Sequence, residues 1–376
     1  MDYRLLGKTG LQVSKLGFGA MRLPLVDEMV RFVPNAKVRI DEELAIAMLH
    51  TAFAAGVNFV DTSAFYCQGG SEPLIGKALK GWREKIIVST KNPDSGQDEK
   101  TWWRHLEQSL ERMDIGYIDL YHHHGLNWKV FQEDVEPCVA KWMEQALDQG
   151  LIRHRGASIH DTPENVKKLL DTGLYEAVII QYNLLDRQME EMIAYADEQG
   201  VGIITMGSLA KGRLGRDLPV QDIQRLIPDG RWWSEVALQF IWSNPHVSVA
   251  LSGMMSLQDV KRNLASAEGK SITSEQRQQL LAWADSYPDA KPIACTECGY
   301  CTPCPQGVNI PRTFSFYNDA AGMGGWEAAR RGYQRWDGWN PGKKPDACIE
   351  CGECDDKCPQ HLPIRDLLCQ VHRELS

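Results

Sequence analysis

Several things are missing from this chain, and each absence narrows the field. No apolar run in its 376 residues reaches membrane-spanning length, so no transmembrane helix is expected. There is no basic excess. Its 41 Lys and Arg against 50 Asp and Glu leave a net charge of -9, which argues against a nucleic-acid partner. The opening residues, Met1-Asp2-Tyr3-Arg4-Leu5-Leu6-Gly7-Lys8, carry no apolar signal segment, so a cytoplasmic location is expected. A dinucleotide-binding G-x-G-x-x-G loop is also missing. Gly17-Phe18-Gly19-Ala20-Met21-Arg22 lacks the third glycine and runs into Pro24. Cysteine is scarce over most of the length, with only Cys67 and Cys138 before residue 290.

What is present is a regular alternation. Eight short β-rich runs read as strands: Leu16–Met21, Asn58–Ser63, Lys85–Lys91, Tyr117–His124, Ile152–Ile159, Ala177–Asn183, Gly202–Ser208 and Val247–Gly253. Stretches with helical spacing lie between them, such as Glu42–Ala55, Glu99–Met113, Asp134–Gln149, Pro163–Asp171, Gln188–Glu198 and Ser256–Ala267. Strand–helix alternation implies parallel pairing. Eight such units match an α/β fold closed as a (β/α)8 TIM barrel. An open doubly wound sheet is the rival, and the missing glycine loop counts against it.

The texture changes near Asp285-Ser286-Tyr287-Pro288-Asp289-Ala290-Lys291-Pro292, which reads as a linker. The expected domains are therefore residues 1–285 and 286–376. The second holds nine of the 11 cysteines. Two runs stand out: Cys295-Thr-Glu-Cys298-Gly-Tyr-Cys301-Thr-Pro-Cys304-Pro305 and Cys348-Ile-Glu-Cys351-Gly-Glu-Cys354-Asp-Asp-Lys-Cys358-Pro359. The second run is similar to the bacterial ferredoxin pattern, and the first is one residue shorter. Structural zinc usually pairs two C-x2-C units, so this spacing favours iron–sulfur. By analogy with two-cluster ferredoxins, one [4Fe-4S] cluster takes Cys295, Cys298, Cys301 and Cys358. The other takes Cys348, Cys351, Cys354 and Cys304. Cys369 is read as a packing thiol, and Trp326, Trp336 and Trp339 as aromatics packed on the barrel.

In a barrel, chemistry sits where strands end. Strand two ends at Asp61, with Tyr66 just beyond. Strand three ends at Lys91, and strand four at His122, His123 and His124. A tyrosine ionises near pH 10. A neighbouring ammonium lowers that value, and a carboxylate holds the ammonium in place. The set suggests proton donation to a carbonyl while hydride arrives at carbon.

The start Tyr3–Gly19, the segment Phe59-Val60-Asp61-Thr62-Ser63-Ala64-Phe65-Tyr66, Ser89-Thr90-Lys91, and Asp119-Leu120-Tyr121 with His124 together resemble the aldo-keto reductase family. The whole chain resembles its branch with a C-terminal ferredoxin-like domain. The resemblance implies a barrel that reduces a small-molecule carbonyl with NADPH or NADH. It places a catalytic tetrad at Asp61, Tyr66, Lys91 and His124. It also implies nicotinamide contacts at Ser158, Gln181 and Met206, with Met206 standing where a stacking tyrosine is common. Leu209, Lys211 and Arg213 match the pyrophosphate loop. Ser252, Gly253, Gln258 and Asn263 match the adenosine-phosphate end, where Asp259 stands in place of a common arginine. Two roles stay open for the cysteine module: passing single electrons to a redox partner, or holding a small domain together.

Overall fold

Alternating facing sets the architecture. In a strand every second side chain points to the same side, so a short apolar strand carries an inner row and an outer row. The computed structural model describes residues 1–27, 37–93, 98–210, 214, 224–227, 231–286, 293–295, 299–323, 326–334, 336 and 342–376, and backbone alone at 137, 319, 322, 323 and 328. The chain forms two compact units: Met1–Pro24 with Arg39–Leu281, and Leu25–Val38 with Ala282–Ser376.

In the first unit, β1 (Tyr3–Leu5) and β2 (Gln12–Ser14) form an antiparallel hairpin. Eight parallel strands follow: β3 (Leu16–Gly19), β4 (Phe59–Asp61), β5 (Ile87–Asn92), β6 (Ile118–Leu126), β7 (Ile152–Ile159), β8 (Ala177–Gln181), β9 (Gly202–Met206) and β10 (Val249–Gly253). They pair in sequence, and β10 returns to β3 to close the barrel. Phe59, Leu120, Ala177, Ile179, Ile204, Val249 and Leu251 meet in one apolar cluster with Leu6 and Val13 of the hairpin. Each large member contributes about 1.5–3 kcal/mol by leaving water. The hairpin lies where strands begin: Lys8 N donates to Gly200 O at 2.8 Å, and Ser248 Oγ to Leu5 O at 2.9 Å. Gly7 is required there. It has φ +51, and a Cβ on it would lie 2.4 Å from Gly200 O.

Helices cover the barrel's outside. The helix Glu99–Met113 starts at Asp98, whose side chain accepts from Thr101 N, and ends at Asp114 in the left-handed region. It buries Trp102, Leu106, Ser109 and Met113, a single face. The expected helix Asp134–Gln149 differs in form. Residues Phe131–Val139 wind as wider π-type turns before a regular helix over Ala140–Asp148. Pro137, which has no N–H for the helical ladder, lies inside the wide part.

The second unit is mainly helical. Phe314, Tyr317, Tyr333, Ile364, Leu368, Val371 and Leu375 form its core, drawn from the helices Ile310–Met323, Trp326–Gln334 and Ile364–Leu375. Trp326 packs edge-on against Tyr317 at 5.3 Å, and Trp336 lies 5.8 Å from Phe316. These aromatics pack against the unit's own core; Trp339 lies outside the described residues. Cys369 is exposed, which corrects its reading as a packing thiol.

Candidate active site and cysteine cavities

Two residues beyond the apolar cluster, the same inner rows turn polar. Phe59 is followed at this spacing by Asp61, Leu120 by His122 and Ile179 by Gln181. The register sets Asp61 opposite Ser89 and Lys91 opposite His122. Lys91 Nζ donates to both Asp61 oxygens and to Thr62 O, each at 2.8 Å. Asp61 is 3% exposed and Lys91 1%, so each charge is the other's main compensation for lost water. Lys91→Met is expected to destabilise the protein by about 3–5 kcal/mol, because it strands the carboxylate. Urea unfolding checks this, and a loss below about 1 kcal/mol would mean water reaches Asp61.

Tyr66 opens a short turn, Tyr66–Gly69, in which Cys67 (φ 51) and Gln68 (φ 55) adopt left-handed backbone. Lys91 Nζ lies 4.7 Å from the centre of the Tyr66 ring. The His124 ring stands edge-on to Tyr66 at 6.1 Å. The acidity of Tyr66 departs from the sequence expectation. Burial, reinforced by the Asp61 carboxylate, holds the phenol well above its ordinary value. The Lys91 ammonium, held against Asp61 at 2.8 Å, does not offset these two causes in the resting phenol. His124 is pushed well below its usual value, first by burial and then by Lys91 and His160. It is neutral near pH 7, with Nδ1 3.3 Å from Ser63 Oγ. A register shift in β6 between His123 and Leu126, with Gly125 at φ +71, re-aims the chain where His124 stands.

The remaining sequence candidates ring the strand ends. Ser158 is buried at the end of β7. Gln181 Nε2 donates to Asp186, and Asn183 Nδ2 to Gly207 O at 3.0 Å. Met206 and Leu209 are partly exposed. Asn263 Nδ2 donates to Ser252 Oγ at 2.8 Å, tying the helix Leu257–Glu268 to β10 beside Gly253; Gln258 is exposed. Asp259 closes a reciprocal cap. Its N–H bonds to Ser256 Oγ, and its carboxylate accepts from Met255 N at 3.2 Å. The Arg262 guanidinium lies 5.4 Å from the centre of the exposed Trp232 ring. Lys211, Arg213 and Cys298 lie outside the described residues.

In the second unit the cysteines surround two cavities. One is lined by Cys301, Cys304, Cys348, Cys351 and Cys354; Glu353 and Arg365 also line it. The other is lined by Cys295, Cys301 and Cys358 with Ile310, Phe314, Leu362 and Ile364. Among the described residues no three His, Cys, Asp or Glu groups converge on a single-ion site. Soft thiols spread around an apolar hollow suit a polynuclear iron–sulfur group.

Comparison with known proteins bears on the barrel first. The profile of the aldo/keto reductase family matches residues 15–225. The chain belongs to the aldo/keto reductase family. The profile of the 4Fe-4S dicluster domain matches residues 294–362. An aldo-keto reductase of Bacillus halodurans, solved in its holo form, is 30% identical and superposes with a TM-score of 0.63, covering 75% of this chain and 96% of its own. The L-galactose dehydrogenase of Arabidopsis thaliana is 28% identical, over 70% of this chain and 88% of its own. An aldo/keto reductase from Klebsiella pneumoniae, solved with NADP and acetate, shares the fold at 22% identity and a TM-score of 0.61. It covers 76% of this chain and 96% of its own. Among the described residues no helix is long and apolar enough to cross a membrane.

Within this aldo/keto reductase, sequence reasoning singled out Asp61, Tyr66, Lys91 and His124. It overlooked Ser89 as a site residue and left His122 without a defined contact. Ser89 Oγ lies 2.8 Å from Asp61 Oδ1 and 3.0 Å from His122 Nε2. The available signal was spacing: Ser89 is two residues before Lys91 on one strand, and so faces the same way.

Proposed function

We propose that this oxidoreductase reduces a carbonyl to an alcohol, or runs the reverse, with Tyr66 as the proton donor. The observation that carries the reading is a neutral phenol set against a buried Lys–Asp pair at the strand ends. A bound nicotinamide, NADPH or NADH, supplies the hydride that reaches the carbonyl carbon. Tyr66 delivers its proton to the carbonyl oxygen, and the resulting phenolate regains a proton from water. Lys91 stabilises that phenolate, and Asp61 fixes the ammonium. Neutral His124 orients the oxygen. Ser158, Gln181, Met206, Leu209, Lys211 and Arg213 would hold the nicotinamide and pyrophosphate, and Ser252, Gly253, Gln258 and Asn263 the adenosine end.

The cysteine module would hold two [4Fe-4S] clusters, crossed so that Cys358 completes the set of Cys295, Cys298 and Cys301. Cys304 completes that of Cys348, Cys351 and Cys354. A relative acting on L-galactose supports testing sugar-like substrates among the carbonyls. The test is cofactor consumption by the purified holoprotein with a panel of aldehydes, ketones and aldoses. Carbonyl-dependent loss of NADPH or NADH absorbance is expected. Consumption that ignores the carbonyl would sink the reading.

A further inference from the structure

The oxygen of Ser89 sits between two groups that together leave it one arrangement. Ser89 Oγ carries a single hydrogen, and Asp61, as a carboxylate, only accepts. The hydrogen therefore goes to Asp61 Oδ1, and His122 Nε2 must donate to Ser89 Oγ. His122 is fully buried. Burial and the Lys91 ammonium hold it neutral, which leaves one ring proton and places it on Nε2. The ring also has a tailored seat. A Cβ on Gly156, in the adjacent strand β7, would lie 2.3 Å from His122 Nδ1, so glycine is the residue that lets the ring lie there. The groups facing His122 are Ser89 and Lys91 on β5, Gly156 and Ala157 on β7, and His123 and His124 on its own strand.

We propose that Ser89 and His122 are positioning residues that hold the Asp61 carboxylate, by a two-step hydrogen-bond relay, in the orientation that keeps Lys91 against Tyr66. The relay runs His122 Nε2–H to Ser89 Oγ–H to Asp61 Oδ1, with every donor aimed toward the negative charge. It draws on the same oxygen that accepts from Lys91. Without it the carboxylate is less compensated and turns freely. More of its charge then faces Tyr66, and the phenol ionises at higher pH.

The inference rests on Tyr66 being the proton donor, so the experiment separates the two ideas. Ser89→Ala, His122→Leu, His122→Gln and Tyr66→Phe are compared as full-length holoprotein, with kcat and KM measured across pH in both directions. Ser89→Ala and His122→Leu should lower kcat about tenfold and leave KM within about twofold. The alkaline limb of alcohol oxidation should move to higher pH in both. His122→Gln, whose amide still donates to Ser89, should restore the wild-type limb. If His122→Leu does not fold, Ser89→Ala, which removes one atom, and His122→Gln still decide the matter. An unmoved limb in these variants, with Tyr66→Phe inactive, overturns the relay alone. Activity surviving Tyr66→Phe overturns the relay together with the reading beneath it.

Discussion

Replacing Tyr66 with phenylalanine is expected to slow carbonyl reduction by about 10²–10⁴-fold, the usual contribution of a positioned acid. Nicotinamide affinity should stay within about twofold, because in the proposed mechanism the hydroxyl serves the substrate oxygen and not the cofactor. The sign of the pH dependence follows from the raised phenol. Reduction needs the protonated form, so its rate should stay level through neutrality and fall only at strongly alkaline pH. Oxidation needs the phenolate, so its rate should climb across the same range. Stopped-flow traces of the variant and the parent in both directions check this. A Tyr66→Phe enzyme with near-parental turnover would move the proton donor elsewhere, and His124 would be examined next.

The barrel strands were readable as short runs rich in apolar residues that end in small or polar ones, most plainly where β-branched residues cluster, as in Ile203-Ile204-Thr205 before Met206-Gly207. The site followed from them, since Asp61 and Lys91 stand at strand ends. The β1–β2 hairpin was not read, because three-residue strands leave too little periodicity to detect. The bond between Ser89 and Asp61 depends on cross-strand register, which one sequence does not display. The acidity of Tyr66 was read with the wrong sign for a physical reason. Neighbouring charges can be listed from sequence, but loss of water depends on packing that spacing does not reveal.

Stripping iron from the cysteine module is expected to abolish the fold of the second unit and leave the barrel intact. Binding free energies of about 10–16 kcal/mol, as for structural zinc, rival the about 5–15 kcal/mol that stabilises a whole domain. The unit's three long helices share a modest core, and the thiols around the two cavities would be left facing one another unbridged. Anaerobic chelation followed by limited proteolysis checks the expectation. Protease should trim the chain to a barrel-sized fragment whose helical circular dichroism persists. A chelated protein that resists protease as well as the loaded one would show that the module keeps its fold without iron, and would favour an electron-carrying role.

Neither cavity belongs to one cysteine run. Cys304 of the first run stands among Cys348, Cys351 and Cys354 of the second, and Cys358 of the second stands with Cys295 and Cys301 of the first. Filling either hollow therefore draws both segments together and pre-arranges the ligands of its neighbour. Maturation of the chain should then be positively cooperative. Native mass spectra of partly reconstituted protein would divide between empty and full, with the half-filled species scarce.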